Sequence, residues 1–172
     1  RGKRERPDVL YGAFLELERQ RLSDLLYRWI ALESEREPFV VRDTERQVEL
    51  EFGGVKFRVI VDRVDRLEDG SLVMIDYKTG NVNPRDWLGE RPAEPQLPLY
   101  CVAHTEEIAA LVYARVRPGE MSFDGMGERA DMLPGVDASE QSGSLGLSWP
   151  DRRQEWREVL TRLALEVDQG RA

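Results

Sequence analysis

Leu10, Phe14, Leu17, Leu25, Trp29 and Leu32 recur at the three-and-four spacing of one helix face, and Leu22, Leu26 and Ile30 widen that stripe. The spacing predicts a long amphipathic helix over residues 8–34, which the Glu37-Pro38 pair would end. The period then changes to two. Val48, Leu50 and Phe52 alternate with Gln47, Glu49 and Glu51, the signature of a half-buried strand. Gly53-Gly54 turns the chain into a second strand over residues 55–67, and Glu68-Asp69-Gly70 into a third over residues 72–77.

Breaker signals at Thr79-Gly80-Asn81 and Asn83-Pro84 end that run. A short helix is expected over residues 94–103, where Pro95 and Pro98 are tolerable only near the first turn. The apolar, β-branched stretch 108–116 reads as a buried strand. From Pro118 to Leu147 the composition shifts to Gly, Ser, Asp and Met without periodicity, so residues 118–147 are expected to form a loop or insertion. Ser148 and Asp151 resemble a capping box with Pro150 in the first turn, followed by Trp156, Leu160, Leu163 and Val167 on one helical face. The order α-β-β-β-α-β-α predicts a mixed-sheet α/β fold with flanking helices, built as a single domain over residues 1–172.

Composition narrows the options. A chain of 172 residues with 41% hydrophobic positions is long enough for one sizeable core. No apolar run approaches the roughly 20 residues that cross a bilayer, and no signal-peptide pattern opens the sequence. A single cysteine, Cys101, excludes an internal disulfide and a cysteine-built zinc or iron–sulfur site, and it fits a reducing cytoplasm. The sequence opens on Arg1 rather than Met and stops without a clear C-cap, so a piece of a longer protein is expected. The net charge of −8 argues against a generally basic surface, yet residues 118–150 alone supply −5 of it. Basic residues elsewhere remain free to form a local path for phosphates.

The candidate chemistry lies on the second and third strands, in Val59-Ile60-Val61-Asp62-Arg63-Val64-Asp65 and Ile75-Asp76-Tyr77-Lys78-Thr79-Gly80. Side chains alternate along a strand, so Asp76 and Lys78 share one face and Tyr77 points the other way. If Glu68-Asp69-Gly70 is a three-residue hairpin loop with glycine at positive φ, Leu67 faces Ser71 and Asp62 faces Asp76, while Asp65 lies on the opposite side. A one-residue slip would reverse that assignment. Two ionised carboxylates about 5 Å apart repel, more so among apolar neighbours. A hard divalent cation such as Mg²⁺ resolves the conflict with carboxylate and carbonyl oxygens, waters and substrate phosphate, and Lys78 would stand beside it. The plainer alternative treats Asp62 with Arg63 or Lys78 as surface ion pairs. A further alternative is a carboxylate-pair glycosidase, which predicts EDTA-resistant activity and no role for Lys78.

At these residues the sequence resembles the RecB-like branch of the PD-(D/E)XK nucleases. Asp62-Arg63-Val64-Asp65, then Ile75-Asp76-Tyr77-Lys78-Thr79-Gly80, then Gln96-Leu97-Pro98-Leu99-Tyr100 follow that branch's three motifs in order, with Val59 where a glycine is usual. The match is good over residues 45–103. The resemblance implies a restriction-endonuclease-like fold and an Mg²⁺- or Mn²⁺-dependent deoxyribonuclease, an exonuclease of AddB-like or RecB-like DNA repair and recombination proteins. Asp62, Asp76 and the Tyr77 backbone carbonyl would bind the metal, and Lys78 would position the attacking water or stabilise the phosphate. Gln96 and Tyr100 would contact DNA or buttress the site. DNA and a helicase subunit are the implied partners, in the cytoplasm and away from membranes. The same resemblance allows a catalytically inactive DNA-binding or scaffold module of a helicase–nuclease complex. Many relatives carry a metal-binding histidine on an early helix. The first helix here has none, leaving Glu16 or Glu18 as substitutes or a ligand upstream of Arg1.

Several other residues invite two readings. His104 reads as a surface or capping residue, and Glu45 as a solvated strand position that would otherwise be an extra carboxylate at the metal. Arg19 to Arg21 and Arg152-Arg153 are either wet helix faces or phosphate contacts. Trp87 either stacks on a base or folds onto the core.

Overall fold

The computed structural model describes residues 8–104, 106–143 and 145–171. Six strands form one sheet in sequential order: β1 (Phe39–Phe52), β2 (Val55–Leu67), β3 (Leu72–Lys78), β4 (Ile108–Arg117), β5 (Glu120–Gly127) and β6 (Val136–Ala138). β1, β2 and β3 are an antiparallel meander, β3 and β4 are parallel, β4 and β5 antiparallel, and β5 and β6 parallel. A parallel neighbour needs a crossover, and α2 (Gln96–Ala103) supplies it between β3 and β4. With α1 (Asp8–Glu33) and α3 (Trp149–Asp168) the chain has the mixed, helix-flanked α/β architecture of a restriction-endonuclease-like fold.

Alternation along β3 divides the core into two layers. Leu72 and Met74 pack with Trp87, Leu97, Tyr100, Trp149 and Trp156 from the α2 and α3 side. Val73 and Ile75 face the other way, toward Trp29 of α1 and Phe123 of β5. The β1–β2 turn needs positive φ at both central residues, which Gly53 (58°) and Gly54 (82°) supply. Gly53 is also pressed on α3, where an added Cβ would lie 2.7 Å from the Ala164 Cβ. Ser148 caps α3 as expected: its hydroxyl accepts the Asp151 N–H and donates to Asp151 Oδ2 at 2.6 Å.

Four expectations are corrected. Residues 118–147 are not merely a loop or insertion, because β5 and β6 extend the sheet there. Their alternation is masked by glycines at points of close approach: a Cβ on Gly125 would lie 2.3 Å from the Leu111 carbonyl oxygen. β1 begins at Phe39, eight residues before the alternating run, since it is an edge strand with a bulge between Val41 and Asp43 and a left-handed Glu45 (φ 46°). The buried stripe of α3 is Trp149, Trp156, Leu160 and Ala164, whereas Val167 is exposed. Helix α1 exists over nearly the expected range, but most of its stripe is not buried among the described residues. Phe14 (59%) and Leu17 (65%) are exposed, as are Leu22, Leu26 and Ile30. Trp29 is buried and Leu32 partly so, and the Leu10 side chain lies outside the described part.

Candidate active site at the β2–β3 fork

The β2–β3 hairpin has the register whose continuation, one step beyond its last pair, would set Asp62 opposite Asp76. Leu67 N–H donates to the Ser71 carbonyl at 2.9 Å, Gly70 takes φ 88°, and Arg63 pairs with Ile75. The ladder then stops and the strands fork. Two side chains take up backbone groups that the ladder leaves free. The Asp62 carboxylate (Oδ2) accepts the Tyr77 N–H at 2.8 Å, and Gln96 Nε2, at the first residue of α2, donates to the Ile60 carbonyl at 3.0 Å. In an extended strand the N–H and C=O of one residue leave from the same edge, so the Tyr77 carbonyl also faces the gap toward Asp62.

Asp76 is 6% exposed, and its nearest cation is Lys78, with Nζ 2.8 Å from Oδ2 in a charge contact lacking hydrogen-bond alignment. Burial pushes the Asp76 carboxyl above the usual aspartate range. Lys78 opposes the shift, and the negative charges of Asp62 and Glu94 add to it. For Lys78, burial works against the charged form, but Asp76, with Glu94 and Asp62, outweighs it and holds the ammonium above its ordinary pKa. Lys78 also lies 5.9 Å from the centre of the Tyr113 ring. Asp76 lies in the field of Asp62 and Glu94 with Lys78 as its neighbouring ammonium, so negative charge prevails around it, and the Tyr77 carbonyl edge is close by. That donor set suits a hard divalent cation, which would relieve the cost of keeping Asp76 ionised. Among the described residues no group of three or more His, Cys, Asp and Glu side chains is arranged to hold a metal. The chain would therefore supply few ligands and leave the other positions to water and substrate, as is usual for Mg²⁺.

A family model for the PD-(D/E)XK nuclease superfamily matches residues 2–172. The chain belongs to the PD-(D/E)XK nuclease superfamily. Its members are nucleases that generally use divalent metal ions. Comparison with curated proteins gives no match.

Within this superfamily domain, the structure brings Asp62, Asp76, Tyr77, Lys78 and Gln96 together at one fork and keeps other candidates away. Tyr100 is 1% exposed, packed in the core and stacked on His104 with ring centroids 5.1 Å apart, so it offers no surface to DNA. His104 ends α2, its N–H donating to the Tyr100 carbonyl. Glu16 and Glu18 lie on the exposed part of α1, tied to Arg19 and Arg21. Arg19 is the main cause of a Glu16 carboxyl lowered to about 2. Glu16 is 13 residues from Trp29, the α1 residue that meets Tyr77. At 1.5 Å per residue this is roughly 20 Å along the axis, too far for a metal ligand at the fork. Glu45 and Asp62 line the same depression with Thr44, Arg63 and Tyr77.

Trp87 is fully buried, donating from Nε1 to the Tyr113 hydroxyl at 2.7 Å, which settles it as a core residue. Arg152 is buried too, donating to the Ser142 carbonyl at 2.9 Å, and Arg153 pairs with Glu107. Neither is a free phosphate contact. Sequence reasoning missed Glu94, whose place two residues before Gln96 was the available signal. It also missed Glu33 and Arg36, which close a buried ion network with Arg63 and Asp65. Asp65 faces away from Asp62, as strand alternation requires.

Proposed function

We propose that this domain is a Mg²⁺- or Mn²⁺-dependent deoxyribonuclease of the RecB/AddB-like kind, acting as an exonuclease in DNA repair and recombination. The observation that carries the reading is the fork itself, where Asp62 and Asp76 meet the Tyr77 peptide edge beside Lys78. The three motifs in their expected order, ending in Gln96 and Tyr100, support the branch assignment. A helicase partner and a cytoplasmic site of action go with that branch. Among the described residues no helix is long and apolar enough to cross a membrane.

In this reading Asp62, Asp76 and the Tyr77 carbonyl hold one divalent ion, and a second is compatible with the two aspartates. The bound ion would supply Lewis acidity toward the phosphate and a more acidic water. Lys78 orients the attacking water and balances charge on the phosphate oxygens. The water oxygen bonds to phosphorus as the bond to the 3′ oxygen breaks. One water proton passes to solvent and the 3′ oxygen takes one up, leaving a 5′-phosphate and a 3′-hydroxyl. Gln96 keeps β2 parted from β3 by occupying the Ile60 carbonyl, and Tyr100 backs α2 from the core.

A second reading, an inactive DNA-binding or scaffold module, is favoured by the lack of a third ligand side chain among the described residues. Cleavage of labelled single- and double-stranded DNA with Mg²⁺, Mn²⁺ or EDTA separates the two. The nuclease reading expects metal-dependent products ending in 5′-phosphate. Metal binding without cleavage of any substrate would favour the scaffold, and EDTA-resistant cleavage would remove the metal from the account.

A further inference from the structure

Arg63 and Asp65 belong to the same motif as Asp62, yet their side chains meet α1 on the other face of the sheet. The Arg63 guanidinium has five N–H groups, and all are engaged. Nε donates to Asp65 Oδ1 (2.6 Å) and Nη2 to Asp65 Oδ2 (2.8 Å). Nη1 and Nη2 donate to Glu33 Oε1 (2.8 Å) and Oε2 (3.3 Å), and Nη1 also donates to the Tyr77 hydroxyl at 2.9 Å. Arg36 completes the lattice through Asp65 Oδ2 (2.8 Å) and Glu33 Oε2 (2.6 Å), its guanidinium 3.9 Å from the centre of the Phe39 ring.

Two cations and two anions balance here with little access to water. Desolvating such groups costs several kcal/mol per ion, so well-packed apolar residues would often serve stability as well. What an apolar filling lacks is direction. One arm of the lattice leaves it, the bond from Arg63 to the Tyr77 hydroxyl. Tyr77 is 38% exposed, and its ring meets Trp29 of α1 edge-on at 5.6 Å. Its peptide lies between Asp76 and Lys78, and its N–H holds the Asp62 carboxylate.

We infer that Arg63 is a positioning residue, fixing through the Tyr77 hydroxyl the peptide edge that sets Asp62 against Asp76. The inference rests on the reading of Asp62 and Asp76 as metal ligands. The Arg63 side chain is committed to Asp65, Glu33 and the Tyr77 hydroxyl, toward α1. Its effect reaches the pocket across the sheet, from the side chain of Tyr77 to its backbone. Lysine keeps the charge at position 63 but lacks the planar fork that serves Asp65, Glu33 and Tyr77 together.

The test compares wild type, Tyr77→Phe and Arg63→Lys by Mn²⁺ titration calorimetry and by the Mg²⁺ dependence of DNA cleavage. Tyr77→Phe retains the ring, its Trp29 contact and the backbone, so it is read even if Arg63→Lys does not fold. Removing an outer partner of a metal ligand costs about 10-fold or more in metal affinity. Both variants are expected to weaken Mn²⁺ binding by about that factor, with cleavage recovering as Mg²⁺ is raised. A lattice that only glues α1 to the sheet would lower the melting temperature and leave the Mn²⁺ affinity of the folded protein unchanged. That result for Tyr77→Phe overturns the inference while the nuclease reading stands. A wild-type protein that neither binds Mn²⁺ nor cleaves DNA would overturn both.

Discussion

Replacing Asp76 with asparagine is expected to stabilise the metal-free fold while abolishing metal-dependent stabilisation. Burial raises the folded-state pKa of Asp76, with Asp62 and Glu94 adding to the shift and Lys78 only partly offsetting it. The folded protein therefore binds this proton more tightly than the unfolded chain. The stability gained from the protonated form is present at low pH and is lost as pH rises from the ordinary aspartate range through the raised folded value. At neutral pH wild type carries the cost of an ionised, buried carboxylate, and asparagine does not.

Divalent metal reverses the ranking. A ligand held only by the folded state at 100 times its dissociation constant adds about 2.7 kcal/mol. For a chain of this size each kcal/mol moves the melting temperature by about 2–4 °C, so saturating Mg²⁺ should raise wild type by about 5–10 °C. Differential scanning calorimetry at pH 7, with EDTA or Mg²⁺, reads both effects. Asp76→Asn should melt at or above wild type in EDTA and not respond to Mg²⁺. An equal Mg²⁺ shift in both proteins, or an Asp76→Asn protein that melts well below wild type in EDTA, would refute the reasoning.

Lys78→Ala should keep the fold, as judged by circular dichroism, and lose about 10²–10³-fold in kcat, the usual scale for removing one group that stabilises transition-state charge. Wild-type cleavage by that variant would remove Lys78 from its assigned role. Gly125→Ala should destabilise the sheet by more than an ordinary surface change, since its Cβ would lie 2.3 Å from the Leu111 carbonyl oxygen, and urea unfolding measures the loss. Cys101 is fully buried and its thiol is pushed up to about 12 by burial, so thiol reagents should label it only on unfolding. Rapid labelling of the native protein would contradict the packing around α2.

The register at the candidate site was legible in the sequence because it is set locally. A three-residue loop ending in Gly70 fixes the register, and alternation along β3 then fixes which face carries Asp76 and Lys78. The end of the ladder was not legible, and neither was the bond there from Gln96 to the Ile60 carbonyl, which joins residues 36 positions apart. Helix periodicity gave the extent of α1, but a periodic stripe does not say what covers it, and Phe14 and Leu17 meet no core among the described residues. β5 was hidden because Gly125 and Gly127, required where two strands crowd together, look the same in sequence as loop glycines. The Arg63–Asp65 pair was visible as letters, but its meaning needed Glu33 and Arg36 from the end of α1.

Mn²⁺ titration calorimetry on wild type, Asp62→Ala and Asp76→Ala is the most direct test of the shared pocket. Saturable binding to wild type that disappears in both variants is expected. Wild-type affinity in Asp62→Ala, or no binding to wild type at all, would show that these carboxylates do not serve one ion.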